Sequence, residues 1–186
     1  MAAPAPRSWH GTVYRHLPVG SPYGPLDTRF AARSRENRWN LAGEPTFVLA
    51  GDQELLVQEL RQHMARDRDA ALVPHYVPRQ VFAVELRLRR VFDLTDRSTI
   101  EALGIRDAPE CFGVRAVARG TAGFLRHARD ADGLLVPTRI APNDPARWNL
   151  IILLDRLTEP LEAAVRRVTT LHSFQLDPTG NPTRAD

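Results

Sequence analysis

Between Phe82 and Arg89 the chain alternates: Phe82, Val84, Leu86 and Leu88 are large and apolar, while Ala83, Glu85, Arg87 and Arg89 take the intervening places. A period of two sends each set to its own face of a strand, so this segment rests on a core with one face and meets water with the other. Two shorter runs, Gly133–Val136 and Leu150–Leu154, are apolar throughout and read as buried strands. Thr46–Ala50, opened by Pro45, reads as another strand, and Gly11–His16, rich in β-formers and closed by Pro18, as the first. A long Pro/Gly/Asp-bearing loop runs from Leu17 to about Asp27.

Helical segments lie between the strands. Gly51 or Asp52 can cap a helix with Glu54 in its first turn, running to about Arg66, and Leu55, Leu56, Leu60 and Met64 mark its apolar face. Ser98 and Glu101 have the spacing of a capping box, with Gly104 as the stop of a short helix. Arg115–Arg129 reads as helix. From Leu161 to Phe174 the pattern is ambiguous, helical at Leu161–Ala164 and strand-like at Val168–Leu171. The expected fold is mixed α/β (α+β), a single domain with a mixed β-sheet core and flanking helices. Residues 1–8 are expected as a disordered tail, 9–176 as the domain and 177–186 as a flexible C-terminal tail.

Composition removes several functions. The 186 residues suit one domain, and 43% hydrophobic with 25% charged residues is a globular balance. No stretch approaches the roughly 18 apolar residues of a spanning helix, and the N-terminus lacks a secretory layout, so a cytoplasmic location without membrane association is expected. Cys111 is the single cysteine, which excludes a disulfide framework, and beside Phe112 it reads as a small buried thiol. All 25 basic residues are arginine, which excludes a lysine Schiff base and a lysine-bearing phosphate loop. Carboxylates are interspersed with the arginines and the net charge is only +3, so Arg87–Arg90 reads as the solvated face of a strand and no direct nucleic-acid binding is expected. The six histidines show no ligand spacing, so no metal is expected. Neither GxSxG nor GxGxxG is present.

The remaining candidates are arginines and one carboxylate. Arg15 ends the first strand, and Arg38-Trp39-Asn40 lies in a polar loop leading into the second. Guanidinium groups from separate segments suit phosphate oxygens, although surface ion pairing is the alternative for any one of them. Glu59 sits along the edge of the apolar helix face, where a carboxylate needs either a salt-bridge partner or a chemical task.

In order along the chain, Tyr14-Arg15, Asn37–Pro45 with its Arg-Trp-Asn-x-x-Gly-x-Pro core, Val48-Leu49-Ala50, Glu59, Val91–Thr95, Asp132–Thr138 and Asn149–Ile152 resemble the RES domain of bacterial toxin–antitoxin operons. The resemblance covers about residues 10 to 155. It implies a fold like that of ADP-ribosyltransferases and a reaction that breaks the nicotinamide–ribose bond of NAD. It further implies NAD as substrate, inorganic phosphate as acceptor, and no separate cofactor. By this resemblance Arg15, Arg38, Glu59 and Thr138 would be catalytic, and Tyr14, Trp39, Asn40, Val48 and Asn149 would contact substrate. Val48 stands where the family usually has tyrosine, and Thr138 where it usually has serine. Family resemblance also implies a cognate antitoxin with a helix-turn-helix domain, and assembly as dimers or larger complexes. Water or a macromolecule as acceptor, and a catalytically silent nucleotide- or partner-binding relative, are the alternatives.

Overall fold

The computed structural model describes residues 4–33, 37–66, 77–177 and 179–185. Residues 1–3, 178 and 186 of the expected tails, and His75, lie outside them. Strands β1 (Arg7–Pro18) and β2 (Thr46–Ala50) precede helix α1 (Gln53–Arg66). The long β3 (Arg79–Asp93) is followed by α2 (Arg97–Ala102), a 3-10 turn at Glu110–Gly113 and α3 (Arg115–Ala128). Then come β4 (Gly133–Pro137), β5 (Trp148–Leu153), α4 (Leu161–Ala164), β6 (Val165–Leu176) and β7 (Pro182–Ala185).

The alternating segment is the middle of β3, with Val84, Leu86 and Leu88 all essentially buried. β1 runs antiparallel to β3, with Val13 opposite Val84, and its other edge meets β2 at Tyr14 and Ala50. β2 pairs antiparallel with β5, β5 with β4, and β4 returns parallel to the end of β3. These pairings close five strands into a ring, while β6 and β7 extend the sheet from the remaining edge of β3. All five ring strands supply one core: Val13, Phe47 and Leu49, Val84, Leu86, Leu88 and Val91, Leu135, and Leu150 and Ile152. The outward residues of β4 and β5, Leu134, Val136, Ile151 and Leu153, pack with α3 and Phe112. α1 covers Ala50, Val81, Phe174 and Leu176 with Leu55, Leu56 and Leu60.

Three expectations need correction. The C-terminal stretch includes β7, whose backbone pairs Ala185 with Ser173 and Pro182 with Leu176 in a hairpin with β6, and four residues are too few to show a period. At the other end, Arg7 and Ser8 belong to β1, tied down by an Arg7–Asp93 ion pair and by the Ser8 hydroxyl donating to the Leu88 carbonyl. The Ser98/Glu101 capping box does not form. Asp96 caps α2, accepting from the Thr99 amide at 3.0 Å, because its carboxylate stands at the true helix start while Ser98 lies inside it. Glu101 instead pairs with Arg97, one turn back. Gly104, at φ 67°, ends that segment in the left-handed conformation.

Elsewhere the structure agrees with the pattern. Asp52 caps α1 through a 2.7 Å bond from the Leu55 amide, and the ambiguous stretch resolves as four helical residues running directly into a strand. Arg87 and Arg89 are exposed on β3, whereas Arg90 turns back to Asp130 and Asp132. Among the described residues, no helix is long and apolar enough to cross a membrane.

Because Leu150 is fully buried inside the ring, Leu150→Ala is expected to cost about 2–5 kcal/mol in denaturant unfolding. Val48, 44% exposed on the adjoining strand, should tolerate Val48→Ala to within about 0.5 kcal/mol. Equal losses at both positions would contradict the inward and outward assignment of these strands.

Candidate functional site

β2 shows two environments at adjacent residues. Phe47 is 4% exposed inside the ring, whereas Val48 faces outward with Thr46. On β5, Asn149 lies opposite Ala50 and Ile151 opposite Val48. This outward patch lies between α1 and the loop carrying Arg38-Trp39-Asn40, and it floors a cavity of about 270 Å³.

Glu59 enters that cavity from α1. The Asn149 amide donates to its Oε1 at 2.6 Å, and the Thr138 hydroxyl makes a second hydrogen bond to the carboxyl. Thr138 is buried beneath Glu59, and its Oγ1 also accepts from the Ile140 amide. Burial pushes the Glu59 carboxyl above the ordinary value of 4.5, and Asp52 adds to the rise; the bonds from Asn149 and Thr138 offset it in part.

Opposite Glu59, the loop is pinned to the α3 layer. Arg38 Nη1 donates to the Phe112 and Gly113 carbonyls at 2.6 and 2.7 Å, and Arg119 donates to the Asn37 carbonyl. Trp39 is buried against Phe112, ring centroids 5.3 Å apart. Gly43, at φ 86°, permits the tight turn in which the Leu41 amide reaches Glu44 Oε2, and Glu44 also meets His127 at 3.1 Å. The wall so built carries Arg38, Trp39 and Asn40 into the cavity lining.

Three buried polar atoms around this cavity, Asn40 Oδ1, Asn149 Oδ1 and Thr46 Oγ1, have no hydrogen-bond partner. Leaving each unpaired costs on the order of 1–3 kcal/mol.

A second cavity of about 320 Å³ adjoins the first, and Asn37, Thr46 and Val48 line both. Arg15 lies here, its guanidinium 4.2 Å from the centre of the Phe47 ring, with Nη1 donating to the Pro25 carbonyl at 2.8 Å. Burial lowers the Arg15 pKa from the usual arginine range, with Asp27 opposing the shift.

The structure thus gathers Arg38, Trp39, Asn40, Val48, Glu59 and Asn149 around one cavity, sets Thr138 directly behind Glu59, and puts Arg15 in the neighbouring one. It does not bring Tyr14 there. That side chain packs with the α1 cluster and lines neither cavity, because β1 turns residue 14 away from the ring interior that residues 13 and 15 face. Sequence reasoning missed Gln62, His63 and Arg139 on the Glu59 cavity. Gln62 and His63 stand three and four residues after Glu59, so helical spacing alone could have placed them on its face. It also missed Arg147, which bonds Glu54 and Gln58 of α1 at 2.8 Å each and so holds the approach to Asn149 against the helix. Cys111 lines neither cavity, and burial pushes its thiol pKa up. Among the described residues, no cluster of three or more His, Cys, Asp or Glu side chains could hold a metal ion.

With this geometry in place, comparison with known proteins decides the family: the RES domain matches residues 12–177. The chain belongs to the RES domain family. A solved structure, the crystal structure of the M. tuberculosis MbcT-MbcA toxin-antitoxin complex, is similar in fold with a TM-score of 0.67 and 18% identity, over 90% of this chain and 87% of that chain. No curated protein matches the sequence. Both Val48 and Thr138 fall within the matched RES segment.

A raised Glu59 pKa means that the folded chain binds this proton more readily than the unfolded one, so the carboxylate opposes folding above the raised value and not below 4.5. Glu59→Gln should therefore raise the thermal midpoint at pH 7, with the difference from the parent shrinking to nothing below pH 4.5. A variant less stable than the parent at pH 7 would contradict the assigned direction.

Proposed function

We propose that this RES domain cleaves the nicotinamide–ribose bond of NAD, with inorganic phosphate as acceptor, and that it acts in the cytoplasm as the toxin of a toxin–antitoxin pair. The observation that carries this reading is the half-buried Glu59 carboxylate, fixed by Asn149 and Thr138 in a cavity. Membership in the RES family and likeness to a toxin within a toxin–antitoxin complex support it.

The chemistry follows from charge. As the C–N bond breaks, its electron pair goes to the pyridinium nitrogen, nicotinamide leaves neutral, and positive charge builds on the ribose ring. Glu59 would lie against that ring, its negative charge stabilising the developing cation and its oxygens orienting the ribose hydroxyls. Asn149 and Thr138 keep the carboxylate aimed there, and the methyl that threonine adds relative to serine is buried behind it. An oxygen of phosphate then bonds to the ribose carbon that nicotinamide left, giving ADP-ribose phosphate. Arg38 and Arg139 on the Glu59 cavity and Arg15 on its neighbour would hold the phosphates. Val48 offers neither ring nor hydroxyl to a ligand on this wall.

A partner antitoxin, with a segment that blocks the cleft and a helix-turn-helix domain, completes the proposal. The wall shared by the two cavities is open to such a segment, since Val48 is exposed.

Nicotinamide release from NAD by the purified chain, with and without phosphate and with product masses recorded, tests this reading. The expected product is ADP-ribose phosphate, and Glu59→Gln should lower the rate by about 10²–10³, the scale of losing one group that stabilises a developing charge. Activity should fall as pH drops through the raised Glu59 pKa, above 4.5, because the carboxylate is the working form. ADP-ribose as product would identify water as acceptor, a modified macromolecule would identify transfer, and tight NAD binding without release would identify a silent relative. Full activity in Glu59→Gln would sink the assignment.

A further inference from the structure

The cavity beside the Glu59 site has an outer rim that the phosphate-holding role of Arg15 leaves unused. Tyr23 and Phe30, from the loop between β1 and β2, line it with rings at 5.6 Å between centroids in an edge-to-face pair. They are 42% and 48% exposed. The Arg29 guanidinium lies 4.9 Å from the Tyr23 ring centre, and that of Arg33 lies 4.9 Å from the Phe30 ring centre. Arg29 is fixed in turn by Asp27, whose Oδ1 accepts from its backbone amide at 3.0 Å and whose Oδ2 accepts from its Nε at 2.9 Å.

We infer that the Tyr23–Phe30 pair forms an aromatic platform for a purine, one ring offering its face and the other, set at 80° to it, its edge, and that the cavity behind them takes the adenosine half of a dinucleotide whose other half reaches Glu59. Aromatic rings bind nucleobases through their faces, at about 1–3 kcal/mol per base, and a platform whose rings are already locked loses little side-chain entropy on binding. The direction of the ligand follows from the shared wall. The bond to be broken must lie at the carboxylate, so the nicotinamide half occupies the Glu59 cavity, the adenosine half enters the other, and the diphosphate crosses between them over Thr46 and Val48. Arg15 stands beneath that crossing on the platform side. Asp27 is committed to Arg29 and acts as a positioning residue. The inference rests on the NAD reading for which end of the ligand enters here, whereas the platform itself rests on the ring geometry.

Calorimetric titration of the full chain with AMP, and separately with nicotinamide mononucleotide, tests the platform in the parent and in Phe30→Ala, Tyr23→Ala and Phe30→Tyr. AMP affinity should fall roughly tenfold in each alanine variant and be kept in Phe30→Tyr, with nicotinamide mononucleotide unaffected throughout. Both rings are exposed, so thermal midpoints should stay at the parent value. In turnover, the alanine variants should raise KM for NAD and leave kcat unchanged. AMP that fails to bind the parent, that binds all variants alike, or that weakens in step with nicotinamide mononucleotide overturns the platform. If NAD is not cleaved but AMP binding still depends on Phe30, the platform stands and the cleavage reading falls. Cleavage with an unchanged KM in Phe30→Ala does the reverse.

Discussion

β1 is hydrogen-bonded along one edge to β3 and touches β2 with the other at Tyr14 and Ala50, and that single contact turns an open sheet into a ring. Everything at the site depends on this closure. Once the ring closes, its interior is filled by side chains from all five strands, and β2 has no freedom about which residues point in. Phe47 and Leu49 must fill the interior, so Thr46 and Val48 must face out.

The outward face is then divided by the helices. α3 takes the β4 and β5 side and α1 takes the β1, β3 and β6 side, each burying its apolar residues against the sheet. Between them a strip of β2 and β5 stays uncovered, and the carboxylate of Glu59 reaches it from the edge of α1. A half-buried carboxylate costs stability, as its raised pKa records, and the fold offsets that cost only in part with Asn149 and Thr138. The unpaired oxygens nearby have the same character. A carboxylate held at such a cost in a cavity is what a ligand site requires, because a bound ligand can meet its charge.

Arginine takes three roles here. Arg38, Arg119 and Arg147 act as ties, spending donors on backbone carbonyls or on α1 side chains to fix the walls of the cavity. Arg29 and Arg33 lie over aromatic rings. Arg15 and Arg139 bring charge to the cavities. A planar, permanently charged fork can do each of these, and a chain without lysine relies on it for all of them.

Much of the fold was legible because short periods report local faces. The alternation in β3, the apolar runs of β4 and β5, the bounds of β2 and the Asp52 cap of α1 all follow from residues within a few positions of one another. The likeness to the RES family was legible in ordered words such as Arg38-Trp39-Asn40 and in the separate Glu59, without any knowledge of how they meet. Local pattern sufficed for a sheet with flanking helices, for Phe47 and Val48 facing opposite ways, and for Glu59 at the edge of an apolar helix face. Which of two opposite faces is the inside, and that Tyr14 turns away from the site while Arg139 joins it, depended on long-range pairing. The physical reason is range: a strand's period fixes the relation between neighbours, whereas which face is buried depends on pairing partners tens of residues away, which no local pattern encodes.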